Sequence, residues 1–155
     1  MSRAFVREGG ADTAGALPDR PISPHPNFVT LSGAAKIDAR LHELEATRNA
    51  ALASDDSASI ADVDRELRYW KQRRSSARII APPAAPEIVR FGVTVRLRFD
   101  QGSERHYQLV GEDEADPTAG LLSWTSPVGS ALIGRRTGDV VQVGGQRAQI
   151  VAMQA

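Results

Sequence analysis

Cysteine is absent from the chain, which excludes disulfides, thiolate nucleophiles and cysteine-bearing zinc sites. Aromatic residues make up only 5% of the sequence, so any core must be aliphatic and small. No apolar run approaches the ~18 residues of a membrane-crossing helix. Neither sign of charge dominates: 19 basic residues balance 19 acidic ones, and any electrostatic role must come from local asymmetry. The histidines His25, His42 and His106 lie far apart, which supports neither a metal site nor a Ser/His/Asp triad. The glycine pairs lack the Lys and Ser/Thr of a phosphate loop. The opening MSRAFVREGGADTAGALPDR has no continuous apolar stretch of the kind a secretory leader carries, so a cytoplasmic protein is expected. At 155 residues the chain has room for one ordinary domain, or a small domain with an appendage.

What is present falls into four parts. Residues 1–28 carry Pro18, Pro21, Pro24 and Pro26 and few apolar residues, and read as a flexible arm that becomes an extended lead. Residues 29–80 read as a helical hairpin. Thr30 or Ser32 serves as first N-cap, and Ile37, Leu41, Leu44, Arg48 and Ala51 form one stripe. Ile60, Val63, Leu67, Trp70, Arg74 and Ala77 form the second, stepping three and four. Pairing Leu41 with Trp70, Leu44 with Leu67 and Arg48 with Val63 sets an antiparallel register. It brings Leu52 near Ile60, Asp38 beside Arg74 and Asp64 beside Arg48, so two ion pairs are expected. The turn falls at 54–57, with Asp55 or Ser57 capping the second helix. Each arm of roughly 22 residues would be about 33 Å long.

APPAAPE, residues 81–87, is a Pro-rich linker, and the period then changes to two over residues 88–155. Val93, Val95, Leu97 and Phe99 point inward while Thr94, Arg96 and Arg98 point outward. DQGS is a hairpin turn, ERHYQLV its partner strand, and LLSW a further strand. Ser126, Pro127 and Gly134 read as N-cap, N1 and stop of a short helix. VVQV and QRAQIVAM form a last hairpin. The expected class is α+β: an antiparallel coiled-coil hairpin followed by a mostly antiparallel sheet wrapped on one short helix. Trp70 is expected in the hairpin seam and Trp124 in the sheet core.

Residues 110–143, VGEDEADPTAGLLSWTSPVGSALIGRRTGDVVQV, resemble the C-terminal domain of the bacterial GreA/GreB transcription elongation factors. The elements that match in order and spacing are GEDEAD, SP, ALIG and GDVV. VTLSGAAKI resembles the start of that family's coiled coil and FGVTVRL its first C-terminal strand, so the resemblance spans 29–151. It implies an FKBP-like domain that docks on bacterial RNA polymerase at the rim of the secondary channel. Polymerase contacts would come from Glu112, Asp113, Glu114, Asp116, Ser126 and Pro127. The coiled coil would carry tip carboxylates Asp55 and Asp56 to the polymerase active site, to share a Mg²⁺ there. Catalysis would then be the polymerase's own, assisted by a monomeric accessory factor that is not itself an enzyme, binds no cofactor alone and touches nascent RNA only indirectly.

This chain departs from the pattern at the tip. The family reads roughly D-L-x-E-N-A-E-Y there; this sequence has SDDSASIADVD, and only Asp55 and Asp56 match by position. The first arm is about nine residues short, costing roughly 13 Å of reach. The shortened arm resembles the Rnk-type regulators, which share the domain plan with a stunted hairpin. Three functions therefore stay open: a cleavage-stimulating elongation factor, a polymerase binder that competes with other channel factors without cleavage, and a prolyl isomerase. Asp55 and Asp56 are either solvated capping acids or polymerase-directed ones. The acidic loop is either a solvated turn or an interface. Arg68, Lys71, Arg73 and Arg74 either face a partner or line a solvated helix face.

Overall fold

The computed structural model describes residues 17–155. β1 (Phe28–Val29) leads into α1 (Leu31–Ala53) and α2 (Ser57–Ser76), an antiparallel pair joined by residues 54–56. β2 (Arg78–Ile79) then pairs with β1 in parallel and closes the root of the hairpin. Thr30, not Ser32, is the N-cap of α1, its side chain accepting from the Gly33 N–H. The expected seam is the buried one. Ile37, Leu44, Ala51, Val63 and Leu67 are all buried, with Leu41 and Trp70 packed between them. Full burial of each large aliphatic side chain contributes roughly 1.5–3 kcal/mol. The register is also the expected one, because Arg48 Nε lies 2.5 Å from Asp64 Oδ1 and Arg74 Nε lies 2.5 Å from Asp38 Oδ1. At the tip the seam opens: Leu52, expected against Ile60, is 48% exposed.

Five strands follow: β3 (Thr94–Phe99), β4 (Glu104–Val110), β5 (Leu121–Ser123), β6 (Val140–Val143) and β7 (Gln146–Gln154). Their order is β5-β4-β3-β7-β6, antiparallel except for the β4–β5 pair. Gly144 and Gly145, with φ of 57° and 79°, supply the left-handed residues that the two-residue β6–β7 turn requires. Val93, Val95, Leu97 and Phe99 do face the core, where they meet Leu109, Val141, Ile150 and Leu132 of the short helix α3 (Pro127–Leu132). This core is separate from the two apolar clusters of the hairpin. The mixed α+β plan read from the sequence is the one observed.

Three local expectations are corrected. Asp56 caps α2, in place of Asp55 or Ser57; its side chain accepts from the Ser59 N–H, while Asp55 takes the left-handed turn position at φ 54°. Trp124 is not in the sheet core: its ring packs 5.1 Å from Phe28 and 5.9 Å from His25, both belonging to the segment before α1. Of the arm expected to be flexible, residues 1–16 lie outside the described residues, and residues 17–28 are tied down. Asp19 pairs with Arg68 at 2.6 Å and Arg20 with Glu66 at 2.8 Å, and the Arg20 guanidinium sits 3.7 Å over the Tyr69 ring.

Candidate functional site

Two regions hold the residues singled out by sequence, one at each end of the hairpin. At the tip, α1 ends at Ala53 and the chain reverses through Ser54, Asp55 and Asp56, all exposed. Asp tolerates the left-handed conformation better than most residues, which suits Asp55 to its place in the turn. Asp56 Oδ1 accepts from the Ser59 N–H at 3.1 Å and Oδ2 from the Ser59 hydroxyl at 2.6 Å. Those bonds, the hydroxyl's foremost, hold the Asp56 carboxyl below the usual carboxylate range, so it is ionised at neutral pH. The tip is therefore a solvent-facing pair of acids, of which Asp56 is held in place by Ser59. Among the described residues no group of three or more His, Asp or Glu side chains is arranged to hold a metal.

At the root the acidic loop between β4 and β5 turns inward. Glu114 is buried. One of its oxygens accepts from the N–H of Thr30 at 3.0 Å and of Gly111 at 3.2 Å, and the other takes the Thr30 hydroxyl. A carboxylate from the β module thus sits at the N-terminus of α1, where the helix dipole favours negative charge. Gly33 makes room for it: a Cβ there would lie 2.1 Å from Glu114 Cδ. Asp113 accepts from Arg73 Nε at 2.5 Å and from the Tyr69 hydroxyl at 2.5 Å. Glu112 lies 3.6 Å from Arg73 Nη2 and accepts from Ser23 and Thr125. The Arg73 side chain is 2% exposed, so its charge is balanced within the protein rather than by water. Burial first, then the bond to Asp113, pushes the Tyr69 hydroxyl up to about 12.

Asp116 is the acid of this loop that remains exposed. It caps a short 3₁₀ turn by accepting from Thr118, whose hydroxyl is the main reason its pKa is lowered. Ser126 accepts from the Gly129 N–H and donates to the Ser123 carbonyl, while Pro127, at the first helical position, is exposed. Of the basic run on α2, Arg68 and Arg74 are paired with Asp19 and Asp38, Arg73 is buried, and Lys71 is exposed. The few aromatic residues of the β module serve packing: Phe91, Phe99 and Tyr107 are buried, and the Trp124 ring packs against Phe28.

Sequence reasoning missed the root contact. Its signal is a second stripe on α2, Glu66, Tyr69, Arg73 and Ser76, stepping three, four, three beside the apolar seam. Each member meets the lead or the acidic loop. Glu66 binds Arg20, Tyr69 and Arg73 bind Asp113, and the Asn27 side-chain amide donates to the Arg73 carbonyl and Ser76 hydroxyl.

The β module matches the family model described as "Transcription elongation factor, GreA/GreB, C-term" over residues 84–152. Transcription elongation factor GreB of Yersinia pestis is 32% identical over 136 residues, covering 76% of this chain and 80% of that protein. The chain belongs to the GreA/GreB family. GreA of Paracoccus denitrificans is 31% identical over 148 residues, covering 81% of this chain and 95% of that one. The solved structure of GreA factor homolog 1 of Thermus thermophilus aligns with 84% of this chain at 22% identity, with a TM-score of 0.42. Its family places this GreA/GreB chain in transcription elongation, among accessory factors that are not themselves enzymes. No helix among the described residues is long and apolar enough to cross a membrane.

Proposed function

We propose that this GreA/GreB chain binds bacterial RNA polymerase in the cytoplasm through its β module. The hairpin is then directed, acidic end first, into the secondary channel, and elongation is regulated from there. The observation that carries the reading is the separation of parts in a member of this family: two exposed carboxylates, Asp55 and Asp56, end a helical pair whose apolar clusters are distinct from the sheet core. An α1 of 23 residues is about 34 Å long, enough to carry charge well away from an anchoring surface. With Glu112, Asp113 and Glu114 turned inward, the exposed Asp116 and Pro127 and the half-exposed Ser126 are the residues of the expected set open to polymerase.

A Mg²⁺ shared with the polymerase fits the tip only as a joint site. Mg²⁺ is commonly held by one or two carboxylates together with water and phosphate oxygens, and Asp55 and Asp56 supply two. When bound, such an ion stabilises the attacking and leaving oxygens of phosphodiester hydrolysis. This chain's own contribution is to carry two exposed carboxylates at the end of a stiff support. A second reading, polymerase binding that competes with other channel factors without cleavage, is favoured by one observation: both oxygens of Asp56 are already engaged by Ser59.

The test is to add the protein to a stalled, backtracked elongation complex and follow both binding and short 3′ RNA products. Asp55→Asn with Asp56→Asn removes the charge while keeping residues that tolerate the turn and the cap. Products lost in this variant support cleavage stimulation. Binding without products supports the competitor. Absence of binding overturns both.

A further inference from the structure

We infer that Arg73 is the positioning residue that fixes the direction of the hairpin relative to the β module, and so fixes where the acidic tip is presented. The inference rests on the reading above for its functional consequence, but its geometry stands on the root alone. Arg73 lies on α2, and its guanidinium reaches the loop between β4 and β5, where Asp113 and Glu112 receive it. Tyr69, one turn earlier, donates to the same Asp113. The Asn27 side-chain amide, from the lead, donates to the Arg73 carbonyl at 2.7 Å. The residue is thus gripped at both its backbone and its side chain by segments outside the hairpin.

Phe28 packs 5.9 Å from Phe91 and 5.1 Å from Trp124 across the root, beside these polar contacts. The sheet core and the hairpin clusters are separate, so charged and polar contacts carry much of the alignment between the two parts. Such contacts are directional, whereas apolar packing tolerates sliding. Glu114 fixes the start of α1 as a second point, and the Phe28–Trp124 packing restricts rotation about the line through the two. The lever is long: 17 residues separate Asp56 from Arg73, about 25 Å of helix. A swing of about 10° at the root displaces the tip by roughly 4 Å, about twice the ~2.1 Å of a Mg²⁺–oxygen bond. Precision at the tip therefore depends on the root.

The absence of native cysteine makes the test direct. Spin labels are placed at Ala53→Cys beside the tip and Gln101→Cys on the exposed β3–β4 turn of the full chain, and the distance distribution is measured in solution. The parent should give one narrow distribution. Arg73→Lys, which keeps the charge but loses the guanidinium fork, and Asp113→Asn, which keeps the shape but loses the charge, should each broaden or shift it. Helical content and exchange protection of the β3 and β7 amides should stay at parent values. Arg48→Met, which breaks the Asp64 pair inside the hairpin, is the control and should leave the distance unchanged. Distributions in Arg73→Lys and Asp113→Asn that match the parent in both mean and width overturn the inference, as does a broad parent distribution. In the elongation assay the two root variants should lose about 100-fold of the parent's effect while both tip acids remain, since misplacement by an ångström is that costly. A full effect despite a broadened distance overturns the functional clause. A parent inactive on polymerase instead sinks the proposed function and leaves the distance result standing.

Discussion

Arg73 of the second hairpin helix and Asp113 of the loop after β4, 40 residues apart, meet 2.5 Å from each other with the arginine almost wholly out of water. A charge so placed is costly unless its partners stay with it. Arg73→Met should therefore destabilise the protein by roughly 3–5 kcal/mol, because Asp113 and Glu112 would be left without their cation. Combining it with Asp113→Leu and Glu112→Gln should recover most of that loss. Denaturant unfolding followed by circular dichroism checks both. A cost below about 1 kcal/mol, the scale of a surface pair, would mean the contact is solvated.

Gly33 and Glu114 offer a second check. A methyl group at Gly33 would meet the Glu114 carboxyl carbon, so Gly33→Ala should cost about 1–3 kcal/mol through overpacking. In a Glu114→Ala background the same substitution should cost much less. Additive effects in the double-mutant cycle would show that the two do not compete for space.

Alkaline pH should loosen the root. The Tyr69 hydroxyl titrates near 12 in the folded chain and near 10 when unfolded, so between these values the unfolded state binds fewer protons. Stability from this group is complete below about pH 10 and is lost as pH rises toward 12. The unfolding midpoint should fall through that window, and Tyr69→Phe should flatten the fall. An unchanged slope in the variant would remove Tyr69 from the account.

The cap at the tip has the opposite sign. Asp56 has its pKa lowered, so its contribution is present at neutral pH and disappears as pH falls through the depressed value. The Ser59 amide should lose protection, taken relative to its intrinsic exchange rate at each pH, in acid and in Asp56→Ala, and keep near the parent protection in Asp56→Asn, since Asn caps as well as Asp. Equal protection in all three would place the cap elsewhere.

Periodicity made most of this fold legible. The apolar seam and the antiparallel register of the hairpin follow from steps of three and four, and the two seam arginines meet Asp38 and Asp64 as that register requires. The period of two likewise placed Val93 to Phe99 inward. What stayed hidden were contacts between parts distant in sequence. GEDEAD looks like a solvated loop because acid-rich loops usually are, and only the fold brings Arg73 and the Thr30 cap against it. Trp124 was misplaced for the same reason, since its partners His25 and Phe28 come from a Pro-rich segment with no periodicity to announce packing. At the tip, Asp55 or Ser57 was the expected cap, and the bond from Ser59 made it Asp56.

The central claim is that a stiff hairpin presents its acidic end inside RNA polymerase while the β module stays at the rim. A photo-activated cross-linker on the single cysteine of Ala53→Cys, in a complex of the full chain with RNA polymerase, tests it most directly. The account predicts adducts on polymerase segments lining the secondary channel near the active site, absent when the linker sits at Gln101→Cys. Adducts only on the outer surface of polymerase, or the same adducts from both positions, would contradict it.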